Sequence, residues 1–268
     1  MGNINSNCRV TFEIKVYEND WKYILMGDFL EKIISNCNHF FFKKVVYINN
    51  VNNLKEVLKY AKIKVDEGVI DEFYIVDDYA ESALKHFDLD ENSFNGGYNY
   101  SISELVGIYL CETDFLLHFS SDSFMLNSDF DWISDSVNML SLNEEYLVAN
   151  PIWNGKIEEV EAESFFESDN FFVSFGFSDQ CYLIKVKQFK DKIYNQTNKD
   201  SERYPEYGGE LFEKKVDSFM RNNNLFRIIP KYVSYFHINY PRNLFLYSFN
   251  AYVYYIVKKR LNIKGMNK

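Results

Sequence analysis

With 268 residues, 47% of them apolar and 25% charged, the chain has the make-up of a folded protein of one large or two small domains, and composition disfavours wholesale disorder or fibrous repeats. A net charge of −10 argues against a nucleic-acid binder, since such domains carry a basic footprint. The 25 Phe and 21 Tyr suit a chain encoded by AT-rich DNA and carry no function by themselves.

The predicted elements alternate along the first half. Val10 to Val16 (VTFEIKV) reads as a strand from its alternating β-branched and aromatic residues, and Asp20 to Cys37 as one helix with Trp21, Ile24, Leu25, Phe29, Ile33 and Ile34 on a face. Val45 to Ile48 is a short buried strand. Asn53 and Glu56 have capping-box spacing and open a helix that turns Leu54, Val57, Leu58 and Ala61 inward. Phe73 to Val76 is a third strand, ending at Asp77 and Asp78. A second capping box, Ser101 with Glu104, predicts a helix leading into the apolar strand Phe115 to Phe119, which stops at Ser120, Ser121 and Asp122.

Strand, helix, strand, helix with short apolar strands predicts an α/β fold: a mainly parallel central sheet with helices on both faces. Ligands of such sheets bind beyond the carboxyl ends of the strands, where strand order reverses. The aspartates at 77, 78 and 122 all follow strands, so they are expected together at that rim.

The second half is less regular. Tyr146 to Ala149 and Cys181 to Val186 read as strands separated by an acidic loop, Gly208 and Gly209 precede a helix running to about Met220, and Tyr232 to Ile238 forms a last strand. No Gly/Ser- or Pro-rich linker divides the chain, which predicts one domain over 1–240 and a tail over 241–268. The four cysteines have no metal or disulfide spacing and read as reduced thiols.

No acidic residue follows Asp217, whereas nine Lys and Arg do. This polarity points to an anionic partner such as phosphates or a membrane surface. The tail is aromatic from Leu244 to Val257 and basic at Lys258, Lys259 and Arg260. It is too short and too interrupted to span a bilayer, so it suits either peripheral contact with anionic headgroups or a helix packed on the domain. The start lacks a secretory leader's basic-then-apolar pattern.

Four segments together resemble the nucleotide-diphospho-sugar transferase fold called GT-A, and within it glycosyltransferase family 2: VTFEIKVYEND, DEFYIVDDYAESAL, TDFLLHFSSDSFML and EYGGELFEKKVDSFMR. The first is similar to the opening strand whose end meets the nucleotide base, which makes Tyr17 a stacking candidate or equally a rim residue. The second is similar to the family's base-binding VDD, at Asp77 and Asp78. An Asp-Asp pair there also caps a helix, and one can cap while the other meets the base.

The third segment resembles the strand ending in the D-x-D metal motif, and the fourth the Gly-Gly-Glu turn on the acceptor side. Two departures stand out. Ser120 occupies the place of the first motif aspartate, leaving Asp122, and Leu211 follows Glu210 where the family often has Asp.

The resemblance implies Mn²⁺ or Mg²⁺ on Asp122 and His237, the latter matching a late histidine of many such enzymes. It implies Glu210 as general base with Asp179 as a second carboxylate facing the cleft, and Trp153 and Gly209 on the acceptor side. Glu210 can equally be a first-turn acid favouring a helix dipole, and Trp153 a core residue. The implied partners are a nucleotide-sugar donor, a UDP-sugar first, and a glycan or lipid-linked acceptor. The implied activity is inverting sugar transfer to a bacterial surface glycan of capsule or lipopolysaccharide type, in the cytoplasm or at the inner face of the cell membrane. Two alternatives remain: a non-catalytic sugar-nucleotide or glycan binder, and a nucleotidyltransferase, although KVYENDW lacks the glycine-rich loop that holds a triphosphate.

Overall fold

The computed structural model describes residues 8–126, 130–204 and 209–237. The predicted tail over 241–268, Gly208 and Ile238 lie outside the described residues. The strands are β1 (Val10–Val16), β2 (Lys43–Ile48), β3 (Glu72–Ile75), β4 (Phe115–Phe119), β5 (Ser123–Met125), β6 (Tyr146–Ala149), β7 (Ile152–Trp153), β8 (Phe166–Glu167), β9 (Phe171–Ser174), β10 (Cys181–Lys185), β11 (Phe226–Pro230) and β12 (Ser234–His237). The helices are α1 (Trp21–Leu25), α2 (Phe29–Asn36), α3 (Leu54–Asp66), α4 (Asp77–Phe87), α5 (Tyr98–Leu110), α6 (Trp132–Leu142), α7 (Ile157–Glu163), α8 (Val186–Phe189) and α9 (Phe212–Asn222).

Nine strands form one sheet in the order β3-β2-β1-β4-β10-β6-β11-β9-β8. The pairings β3-β2, β2-β1, β1-β4 and β6-β11 are parallel, whereas β10 and β9 run against both neighbours. The other strands therefore share one direction, as a mainly parallel sheet requires. Alternate residues feed two apolar cores, one on each face. Val46 and Ile48 pack in the core of Trp21, Leu30, Val57 and Leu140, while Val45 and Tyr47 pack with Ala83, Phe87, Leu105 and Val216. Helices α1, α2, α3 and α6 thus cover one face, and α4, α5 and α9 the other.

Several predicted elements differ in detail. The helix expected over 20–37 is two, broken at Gly27, whose carbonyl turns out to accept a 2.6 Å hydrogen bond from Lys64 Nζ. Asn53 caps α3 as its spacing predicts, accepting from the Glu56 amide at 3.3 Å. Ser101 and Glu104 are not a capping box: α5 begins at Tyr98, and both side chains are buried within it. Ser101 Oγ accepts from the Phe212 amide at 3.0 Å, tying α5 to the start of α9. The acidic loop contains α7 and the edge strand β8, and β11 enters the sheet ahead of the predicted last strand.

Three strands stand apart in a small sheet, β5-β12-β7, at the carboxyl rim of the large one. Because β4 leads through Ser120–Asp122 into β5, and β12 pairs with β5 with His237 opposite Ser123, residues more than a hundred positions apart in the chain meet there. Among the described residues no helix is long and apolar enough to cross a membrane. The cysteines are free, with Cys37, Cys111 and Cys181 buried.

Candidate active site

The rim is a switch point. The chain runs from β1 outward through β2 to β3, then returns to the other side of β1 with β4, so a crevice opens beside the ends of β1 and β4. Asp122 stands in the turn after β4. His237 Nε2 lies 2.9 Å from its Oδ2, and both side chains are about a quarter exposed. The Ser120 hydroxyl donates to Asp122 Oδ1 at 3.0 Å and lies 2.7 Å from Ser123 Oγ, so the serine in the place of the first motif aspartate orients the second. The Asn154 side chain accepts from the His237 amide at 3.0 Å, which fixes the end of β12.

The surrounding charges are coupled. Burial pushes the His237 imidazole down, but its hydrogen bond to Asp122 and the charges of Asp122 and Asp179 outweigh this, and the net displacement is upward. Burial raises the Asp179 carboxyl to about 6, with Lys15 opposing and Glu104 and Asp122 reinforcing. At the end of β1, Lys15 forms an ion pair with the fully buried Glu104 of α5. Burial alone would depress the Lys15 ammonium, yet Glu104, Asp179 and Asp122 hold it protonated.

Asp20 closes the group from α1's start. Its Oδ1 accepts from the Tyr17 amide at 2.8 Å, and its Oδ2 from the Ser121 hydroxyl, so it staples the end of β1 to the turn after β4. Burial pushes its carboxyl well above the usual range.

Two cavities flank this cluster. One, of about 480 Å³, is lined by Lys15, Tyr17, Asn49, Asn50, Asn99 and Tyr100 among others, and so lies between the ends of β1 and β2 and the first turn of α5. The other, of about 410 Å³, is walled by Asn150, Trp153, Ser178, Gln180, Glu213 and Tyr235 among others. Ser178 and Gln180 bracket Asp179, and Tyr235 is two residues before His237. The Tyr235 hydroxyl binds Ser178 Oγ at 2.9 Å and Gln180 Oε1 at 3.3 Å, locking this wall to the small sheet.

The predicted site residues fall into two sets. Asp122, His237 and Asp179 share one electrostatic cluster, Tyr17 lines the first cavity, and Trp153 the second. The Lys156 ammonium sits 4.2 Å from the centre of the Trp153 ring, so one indole face is occupied. Asp77 and Asp78 are exposed in the first turn of α4, at the end of the edge strand β3, and line neither cavity. The strand beside β1 is β2, and its following residues Asn49 and Asn50 line the first cavity instead.

Glu210 and Gly209 lie against the turn at Phe94. The Glu210 amide donates to Phe94 O at 2.8 Å, and its carboxylate takes a 2.8 Å hydrogen bond from Lys214. It lines neither cavity, whereas Glu213 lines the second. Gly209 has φ +72°, and a Cβ on it would lie 2.3 Å from Asn95 O and 2.6 Å from Phe94 O.

Sequence reasoning missed Lys15, Asp20, Glu104 and the Asn49-Asn50 pair. A signal for Lys15 was present: charges at alternate positions of a strand packed on both faces, as in VTFEIKV, are anomalous unless paired. The preceding charge, Glu13, is paired behind the site with His118, whose Nδ1 is 2.7 Å from Glu13 Oε1.

Among the described residues no three His, Cys, Asp or Glu side chains are grouped to hold a metal ion. Asp122 and His237 form a two-residue set, one carboxylate oxygen and one imidazole nitrogen, that suits a divalent ion able to take further ligands from phosphate and water.

No protein-family model matches the chain, and no curated protein matches it in sequence. Among solved structures the chain is similar to GalNAc-T7 with UDP, GalNAc and Mn²⁺, at 10% identity and a TM-score of 0.52, over 88% of this chain and 44% of that one. A mycobacterial protein aligns at 10% identity and a TM-score of 0.46 over 91% of this chain and 71% of that one. The chain thus spans less than half of the GalNAc-T7 chain it matches. With the sheet order above, the likeness gives the chain the GT-A glycosyltransferase fold, without singling out family 2.

Proposed function

We propose that the protein is a glycosyltransferase that moves a sugar from a nucleotide-sugar donor, a UDP-sugar first, to a hydroxyl of a bacterial surface glycan of capsule or lipopolysaccharide type. The observation that carries this is the meeting of Asp122, His237 and Asp179 between two cavities at the switch-point rim. One cavity has the asparagines, tyrosines and position to take a nucleoside, the other the polar and aromatic wall to take a sugar.

As the bond from the anomeric carbon to the diphosphate breaks, negative charge grows on the leaving phosphate and needs a preorganised counter-charge. Asp122 and His237 would hold a divalent cation, and that cation, when bound, supplies Lewis-acid stabilisation to the diphosphate. A set containing an imidazole favours Mn²⁺ over Mg²⁺. Ser120 keeps Asp122 oriented.

The acceptor hydroxyl must lose its proton as it attacks. Asp179, between Ser178 and Gln180 of the second cavity's wall, is the carboxylate proposed as general base, whereas Glu210 is engaged by Lys214 and lines neither cavity. A base on the face opposite the leaving group gives inversion. Asn49 and Asn50 take the base-reading position that the resemblance assigned to Asp77 and Asp78, with Tyr17 stacking. The basic tail is the element proposed to meet an anionic membrane at the cytoplasmic face, beside a lipid-linked acceptor. Truncation after Tyr240 tests that, and unchanged fractionation with membranes would refute it.

The test of the activity is a Mn²⁺ titration of wild type and Asp122→Ala while following nucleoside-diphosphate binding, with donor turnover measured in parallel. Metal-dependent binding is expected in wild type and its loss in the variant, and equal metal dependence removes Asp122 from the site. Nucleotide binding without donor hydrolysis or transfer would favour a non-catalytic binder, a reading to which Ser120 in the metal motif gives support.

A further inference from the structure

Lys15 is out of place for a structural residue. It sits on the last turn of the pleat of β1, a strand with sheet neighbours on both sides, and its side chain is only 18% exposed. Taking an ammonium and a carboxylate out of water is costly, and a buried ion pair can often be replaced by apolar residues of similar size without loss of stability. The pair with Glu104 is therefore not what the sheet itself requires.

The ammonium has three N–H donors. Among the described residues it makes one hydrogen bond, to Glu104, whose other oxygen accepts from the Ser103 hydroxyl at 2.8 Å. The buried carboxylate thus fixes the lysine at the end of β1 and leaves donors over. The exposed part of the side chain lines the 480 Å³ cavity, and it is the only Lys or Arg among that cavity's described walls. The charges of Asp179 and Asp122 also act on it.

A nucleotide-sugar brings about two negative charges, and the nucleoside diphosphate it leaves behind about three, to a place already holding these carboxylates. One divalent cation does not balance the group. We propose that Lys15 is a second, built-in cation for the donor, its ammonium donating to the diphosphate at the junction of the nucleoside cavity and the Asp122–His237 pair, with Glu104 as the residue that positions it. This rests on the nucleotide-sugar reading of the same site and adds a protein group that contacts the phosphates.

The test compares wild type with Lys15→Met and Lys15→Met/Glu104→Gln, the second relieving the carboxylate that the first leaves stranded in the core. Calorimetry measures UDP, ADP, GDP and CDP with wild type, then the nucleoside diphosphate that binds and its uncharged nucleoside with all three proteins, with and without Mn²⁺. Loss of a charge-assisted hydrogen bond predicts about ten- to hundred-fold weaker diphosphate binding in both variants, persisting without metal, with nucleoside affinity unchanged. Equal weakening of nucleoside and diphosphate would reduce Lys15 to a structural residue and overturn the proposal, as would unchanged diphosphate binding in the folded double variant. No binding of any nucleoside diphosphate by wild type would remove the nucleotide-sugar reading and this inference with it. Binding by wild type that the variants retain removes this inference alone.

Discussion

The contact at Gly209 separates a packing role from an acceptor-binding one. Gly209→Ala would place a methyl carbon 2.3 Å from Asn95 O and 2.6 Å from Phe94 O, both backbone atoms, at φ +72°. The left-handed conformation costs an L-residue roughly 1–2 kcal/mol. Backbone carbonyls cannot swing away as a flexible side chain can, so the turn at Phe94 must part from residue 209 and release the 2.8 Å hydrogen bond from the Glu210 amide, about 1 kcal/mol net. Together these give about 2–3 kcal/mol of destabilisation. Urea unfolding followed by far-UV circular dichroism reads this as a lower midpoint, by about 1 M at a slope of about 2–3 kcal/mol per M. The loss should also reach the 480 Å³ cavity, since the Phe94 turn leads into the first turn of α5 with Asn99 and Tyr100. A variant with wild-type unfolding but a raised acceptor KM would show that the close approach is not holding this corner together, and would return Gly209 to the acceptor wall.

The base assignment is tested by paired variants: Asp179→Asn should lower transfer by about 10²- to 10⁴-fold with donor binding retained, and Glu210→Gln by less than tenfold. The reverse order in a turnover assay would reinstate Glu210. Behind the site, burial and the charge of Glu104 push the Glu13 carboxyl well above its usual range, against Lys15. A group whose folded value is raised gives stability that is full below its unfolded value, about 4.3, and fades as pH climbs through the folded one. Glu13→Gln cannot ionise and keeps a donor for His118 Nδ1, so its melting temperature should decline less than wild type's on the alkaline side. Parallel melting curves between pH 5 and 9 would refute this.

The sheet was legible because its strands announce themselves locally. FLLHF has no polar break except His118, and FYIV and YLVA are apolar runs bounded by charges or asparagines, so period and length suffice. The helix over 20–37 was misjudged because its apolar face continues across Gly27, and the break is made by Lys64, a residue of α3 that captures the Gly27 carbonyl. Ser101 and Glu104 failed for the same reason. Their spacing is that of a cap, but their partners, the Phe212 amide and Lys15, are far away in the chain. Local pattern cannot distinguish a polar residue that serves its own helix from one that serves another element.

The candidate site divides along the same line. Asp122 and His237 lie 115 positions apart, yet both were marked by the end of a strand, and strand ends gather at one rim whatever the loops between them do. Asp77 and Asp78 also end a strand, but register along a strand says nothing about order across a sheet. The VDD pattern fits β3 well as a strand with a following helix, and only the pairing β3-β2-β1 moves it to the edge and brings Asn49 and Asn50 to the wall of the 480 Å³ cavity. An asparagine amide both donates and accepts, so it can complement a base edge that an aspartate meets only as an acceptor. On the nucleotide-sugar reading proposed above, the strand order therefore replaces a carboxylate taking N–H bonds by an amide that can also donate.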